Sequence, residues 1–204
     1  MKPDPAGLVA AAAAQLGLAL SSAQIGLLQR YADLLRSRAV PLGLISEKDR
    51  DRILVRHVLD SLRGAGFVEA ADQRAYDMGS GAGLPGIAVG IARPDLIVEL
   101  VESRRTRAGF LEMAVDELAI QNALVRWARI EELAGPVDLC FARAFGSVER
   151  SWEAAKPLLR PGGRLVHFVG ASRGELPELA GASSTELRPV PLLDSAGALA
   201  IITR

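Results

Sequence analysis

The chain has one cysteine and two histidines among 204 residues. A lone thiol forms no intramolecular disulfide, and this inventory is too poor for a structural zinc site. Aromatic residues make up only 4% of the sequence, which argues against the broad stacking surface of general single-strand binders. An excess of one charge is missing as well. Twenty-four basic residues balance 24 acidic ones, which excludes a strongly basic nucleic-acid arm but leaves room for a local basic face. No run reaches 18 uninterrupted apolar residues, so no spanning helix is expected. These absences predict a reduced, cytoplasmic protein without a metal or a membrane partner; a monomer fits them.

What is present is apolar material. Hydrophobic residues make up 50% of the chain and charged residues 24%, enough to bury a core and to exclude disorder as the default state. The stretch Gly7 to Leu20 is apolar, but Asp4 occupies what would be the basic start of a secretion signal, Gln15 interrupts the run, and the alanines favour a helix. A second helix should begin at Ser21 or Ser22. Ser21 and Gln24 have capping-box spacing, and Ile25, Leu28, Ala32 and Leu35 share one face until Pro41 and Gly43. A third is expected over 49–62, with Ile53, Leu54, Val58 and Leu62 as its stripe.

From Tyr76 onward, apolar runs at 96–101, 123–127, 137–142 and 164–169 alternate with helical segments near 85–92, 105–119 and 148–159. That alternation predicts an α/β fold, a mostly parallel sheet covered by helices on both faces. Two final runs, 187–193 and 198–203, face each other across Asp194–Gly197 as an antiparallel hairpin. The expected organisation is one domain, with a helical extension over 1–68 and a cofactor-binding core over 69–204.

The segment Asp77-Met78-Gly79-Ser80-Gly81-Ala82-Gly83-Leu84-Pro85-Gly86 follows a strand candidate and should open a helix at Pro85. Its glycines permit a sharp turn and close approach of a ligand. Gly81, Gly83 and Gly86 satisfy the dinucleotide pattern G-x-G-x-x-G, with Glu102 ending the next strand. S-adenosylmethionine fits better. Asp77 would repel a pyrophosphate but suits an ammonium and a sulfonium, and Glu102 can accept from both ribose hydroxyls. The turn Arg160-Pro161-Gly162-Gly163 before a strand resembles that of class I methyltransferases, and no room remains for a dehydrogenase's substrate domain.

These features continue into a more specific pattern. Ile45-Ser46, Arg56-His57-Val58-Leu59-Asp60-Ser61, Gly83-Leu84-Pro85-Gly86, Arg93-Pro94, Glu102-Ser103, Arg129-Ile130-Glu131-Glu132 and Arg143-Ala144-Phe145 resemble the glucose-inhibited division protein B family. That family comprises methyltransferases of guanine N7 in 16S ribosomal RNA. The resemblance implies S-adenosylmethionine as cofactor, with Gly79, Leu84, Glu102, Ile130, Glu131 and Arg143 at its site; the loop reading itself adds Asp77 and Gly81. It also implies small-subunit ribosomal RNA, or the assembling subunit, as partner. Two positions depart from it: Gly43, where relatives often carry Asn, and Val169, where they often carry Lys.

Guanine N7 has a free lone pair near neutral pH, so its methylation needs no general base, in keeping with a sequence that offers no catalytic triad. Arg143 is the candidate for positioning the substrate; its competing role is a salt bridge to Asp138 or Glu131. Arg56, Arg104 and Arg105 are candidates for RNA contact, within a larger basic set of Lys48, Arg50, Arg52, Arg63 and Arg107. His57 reads as an ion-paired helix residue near Asp60, Cys140 as a core residue, and Trp127 and Trp152 as core or stacking residues. A small-molecule methyltransferase and a non-catalytic cofactor-binding factor remain alternatives.

Overall fold

The computed structural model describes residues 4–170, 175–192 and 197–204. Its centre is a seven-stranded sheet in the order β3-β2-β1-β4-β5-β7-β6. The strands are β1 (Arg74–Met78), β2 (Ile97–Glu102), β3 (Ala123–Trp127), β4 (Val137–Arg143), β5 (Leu159–Phe168), β6 (Ser184–Arg188) and β7 (Leu199–Thr203). The first five run parallel, and β7 pairs antiparallel with both β5 and β6. The strand order reverses between β1 and β4. Such a switch point leaves a crevice at the carboxyl ends of the strands, where open α/β sheets bind ligands.

Side chains alternate across the sheet. Leu139 and Phe141 enter one core with Ala75, Val98 and Leu100, while Cys140 and Ala142 enter the other with Tyr76, Met78 and Trp152. The first face carries α4 (Gly86–Ala92) and α5 (Arg105–Leu118), and the second carries α6 (Val148–Ala155). The helical extension, α1 (Pro5–Gln15) and α2 (Ser22–Leu34), packs on the α4/α5 face: Val9, Leu28 and Tyr31 are fully buried in the same core as Ile87 and Leu100. α2 begins as its sequence predicts, with Ser21 Oγ accepting from Gln24 N and the Gln24 side chain accepting from Ser21 N.

Five expectations need revision. Residues 49–62 are not one α-helix but a 3-10 segment (Glu47–Arg52), a π-helical segment (Leu54–Leu59) and one α turn, α3 (Asp60–Leu62). Ile53 and Val58, both fully buried, stand five residues apart, a spacing that π winding brings onto one face. β5 starts at Leu159 rather than after the glycines, because Val137 pairs with Leu159 and Leu139 with Arg164. The Pro161-Gly162-Gly163 turn is thus absorbed as an irregularity within the strand. α4 begins at Gly86, one residue after Pro85, and α6 ends at Ala155. In the C-terminal hairpin β6 spans Ser184–Arg188, earlier than expected; residues 194–196 of the anticipated turn lie outside the described residues. No helix among the described residues is long and apolar enough to cross a membrane.

Candidate active site

Between β1 and α4 the chain turns through Gly79, Gly81 and Gly83, with φ of +68°, +59° and +89°. Glycine adopts these left-handed values without the steric cost a Cβ imposes. Gly79 also admits an aromatic ring, since a Cβ there would lie 2.9 Å from Phe145 Cδ2. Phe145 follows Ala144, whose φ of +54° turns the chain after β4. A left-handed alanine is uncommon, and such strain concentrates at functional sites. Gly79, Val101, Ser103, Ala128, Ile130, Glu131 and Phe145 line one cleft, rimmed by Arg129 and Arg150.

Asp77 lies beneath the loop, 1% exposed. Its Oδ2 accepts the Gly86 N–H at 3.0 Å, while Oδ1 has no partner among the described residues. Burial pushes its carboxyl up to about 7, against the hydrogen bonds that favour the anion. The first amide of α4 therefore points at Asp77 rather than into the cleft. Glu102 closes the other side of the loop. Its Oε2 accepts from Gly81 N at 3.1 Å and its Oε1 from Arg104 N at 2.8 Å. A carboxylate has about four acceptor sites, so two bonds leave capacity for two more donors.

A tie from the extension completes the loop. Tyr31, fully buried on α2, donates from Oη to Ala82 O at 2.8 Å. A Cβ on Gly83 would fall 2.9 Å from that hydroxyl and 2.4 Å from Ile87 Cδ1. Burial, and then the Asp77 charge, raise the Tyr31 pKa well above its ordinary value, so the phenol stays a donor.

Arg143 turns away from the cleft lining. Nη1 donates to His57 O at 3.3 Å and Ser61 Oγ at 3.1 Å, and Nη2 to Arg56 O at 3.1 Å. Its ion pair, at 3.0 Å, is with Asp60 rather than Asp138 or Glu131. The guanidinium also lies 5.8 Å from the Phe168 ring centroid. Arg143 thus latches the end of β4 to residues 56–61. His57 is paired with Asp49, Nε2 to Oδ2 at 3.3 Å, instead of Asp60. Burial and the Arg143 charge outweigh Asp49 and lower its pKa.

Of the expected cofactor residues, Gly79, Ile130 and Glu131 meet in the cleft, and Asp77, Gly81 and Glu102 shape its loop. Leu84 packs partly buried against the core. Among the RNA candidates, Arg56 is paired with Asp49 at 3.6 Å, whereas Arg104 and Arg105 are exposed without a carboxylate partner among the described residues. Cys140 is buried and its thiol pKa is pushed up, as for a core residue. Trp152 is fully buried, but Trp127 is 59% exposed. Gly43 has φ +68°. Asparagine is the other residue that enters this region readily, so an Asn at this position would be compatible with the same turn. The sequence reading missed Ser103, Ala128 and Arg150 as cleft residues, and Tyr31 altogether; Phe145 was visible only as the end of the Arg-Ala-Phe motif.

This sheet order, with a glycine turn after β1 and a carboxylate ending β2, defines the class I S-adenosylmethionine-dependent methyltransferase fold. Solved structures agree on the fold. The methyltransferase SibL in its apo form has a TM-score of 0.56 at 18% identity, covering 72% of this chain and 53% of that one. An S-adenosylmethionine-dependent O-methyltransferase from Thermotoga maritima gives 0.51 at 16%, covering 71% and 64%. The chain belongs to the GidB family, rRNA small subunit methyltransferase G, which it matches over residues 24–185. It is 38% identical to the ribosomal RNA small subunit methyltransferase G of Mycolicibacterium gilvum over 74% of this chain and 68% of that protein. With the protein of that name from Mycobacterium avium, identity is 39% over 80% and 68%.

The residues fit the cofactor of this fold. Asp77 Oδ1 is a buried carboxyl oxygen beneath the loop without a partner among the described residues, and a cationic ligand above it would favour its ionised form. Glu102 retains acceptor capacity for ribose hydroxyls, and Ile130 offers an apolar wall for a purine.

Proposed function

We propose that the chain transfers a methyl group from S-adenosylmethionine to N7 of one guanine in 16S ribosomal RNA of the small subunit. The observation that carries this reading is the cleft in which Gly79, Ile130, Glu131 and Phe145 meet, at the ends of β1 and β4 and inside the span that matches the family. When bound, the cofactor supplies a methyl group activated on a sulfonium. Guanine N7 presents its lone pair already unprotonated, so no side chain has to remove a proton.

The chain's own contribution is orientation and exclusion of water. Glu102 accepts from the ribose hydroxyls. Ile130 and Glu131 form the wall at the adenine end. Gly79 and Phe145 close the loop side, and the buried Asp77 carboxylate favours a cation over the loop. Arg143 is a positioning residue, holding residues 56–61 beside the end of β4, where the guanine enters.

The test offers labelled S-adenosylmethionine with deproteinised ribosomal RNA, and separately with intact small subunits, both from cells lacking this enzyme. Chemical cleavage at N7-methylguanine should map one site. Cofactor binding without transfer to either substrate would refute the reading and point to a small-molecule methyl acceptor.

A further inference from the structure

Resting on the rRNA reading, we propose that a single-stranded segment of the RNA crosses the mouth of the cofactor cleft on two arginine–aromatic pairs, with one base stacked on Trp127. The argument begins with charge. Although the chain is neutral overall, its arginines are not used alike. Arg50 is paired with Glu47, Arg52 and Arg56 with Asp49, Arg63 with Asp60, Arg126 with Glu99, and Arg160 with Asp138. Along the cleft rim, as at Arg30 and Arg38 of the extension, no such ion pair forms among the described residues. Arg104, Arg105, Arg129 and Arg150 are exposed and have no carboxylate partner among the described residues. Glu131 and Glu132 share this rim, and Glu132 accepts from the Arg129 amide at 3.1 Å.

Two of these arginines lie over aromatic rings, Arg105 at 5.4 Å from Trp127 and Arg150 at 5.6 Å from Phe145. Trp127 ends the edge strand β3 and is 59% exposed. Its indole is nonetheless held in place, with Nε1 donating to Ser103 O at 3.1 Å. An exposed ring with a fixed orientation and a guanidinium beside it is the arrangement that stacks an unpaired base while the cation meets its phosphate. Ser103, Ala128 and Arg129 line both the cofactor cleft and the adjoining hollow that contains Arg104 and Trp127. A strand seated there adjoins the cofactor cleft at the end walled by Ile130 and Glu131. Recognition of RNA by splayed bases on aromatic rings suits a protein whose few aromatics allow one or two platforms rather than a surface.

The experiment compares wild type with Trp127→Ala, Trp127→Phe and Arg105→Glu. Methyl transfer to unmethylated small subunits is followed, and S-adenosylhomocysteine is titrated separately. Trp127→Ala and Arg105→Glu should raise KM for the subunit about tenfold, with S-adenosylhomocysteine affinity within about twofold of wild type. Arg105→Glu should also flatten the salt dependence of RNA binding. Trp127→Phe, which keeps a ring but loses the bond to Ser103, should raise KM less than Trp127→Ala does. Unchanged KM for the subunit in Trp127→Ala overturns the proposal. So does a Trp127→Phe variant as impaired as Trp127→Ala, or a loss confined to cofactor affinity. A wild-type enzyme that transfers nothing to either RNA substrate is a different failure, since it removes the rRNA reading itself.

Discussion

Tyr31 Oη lies 2.8 Å from the carbonyl oxygen of Ala82, joining the second helix of the extension to the glycine turn that shapes the cofactor cleft. The two residues are 51 positions apart, and the ring is fully buried. The extension is therefore part of the framework that holds the glycine turn.

Tyr31→Phe removes that hydrogen bond while keeping the packing. A net hydrogen bond contributes about 1 kcal/mol, so the Kd for S-adenosylhomocysteine should rise about fivefold, with kcat at saturating cofactor nearly unchanged. Calorimetric titration checks the first expectation and initial rates the second. An unaltered Kd would mean that the loop holds its shape without the tie.

Gly79→Ala places a Cβ 2.9 Å from Phe145 Cδ2 at a residue with φ +68°. Either the ring moves or the turn does. Cofactor affinity should fall at least about tenfold, because the cleft loses its wall and a left-handed alanine costs roughly 1–2 kcal/mol. Cofactor titration alongside thermal unfolding separates a damaged cleft from a damaged fold.

Asp77→Asn keeps an acceptor for the Gly86 amide and removes a buried charge. The wild-type carboxyl is raised to about 7, so between its ordinary value and that pH the folded state binds more protons than the unfolded one. Stability accordingly falls as pH rises through this window and then levels off. Free of cofactor, Asp77→Asn should melt higher than wild type near pH 8, with the gap closing toward about pH 5. Its affinity for the cationic cofactor should drop. Melting curves at the two pH values decide the first point; an equal gap at both would show that the Asp77 charge is not the cause.

Arg143→Lys keeps the charge but not the planar fork that reaches Arg56, His57, Ser61 and Asp60. A lysine cannot supply that set of donors. Methyl transfer should fall more steeply than S-adenosylhomocysteine affinity, and Arg143→Ala more steeply still, since it leaves Asp60 without this partner. Equal losses of transfer and of cofactor binding would reject a role on the substrate side.

Much of the architecture is legible in the order of residues because local rules govern it. The capping pair Ser21 and Gln24, the apolar runs that become β2, β3 and β4, and the glycines after β1 each carry a constraint within a few residues. The turn needs positive φ, and only residues at that place can provide it. Glu102 was foreseeable for the same reason, as the acidic end of the strand after the loop.

What lies between distant segments could not be read this way. Periodicity predicted an α-helix over 49–62, but the 54–59 segment packs against α1 and α2, Ile53 and Val58 are both buried, and π winding brings that spacing onto one face. Asp138 and Glu131 stood near Arg143 in the chain, yet the guanidinium chose Asp60, because folding carries the 56–61 segment to the end of β4. Tyr31 looks in the sequence like one more apolar position on a helix; only the tertiary structure puts its hydroxyl against Ala82. Local steric and hydrogen-bonding rules determined the turns, caps and strands. Partner choice for charged and polar groups was decided by which segments share a buried space, and that depends on the whole fold.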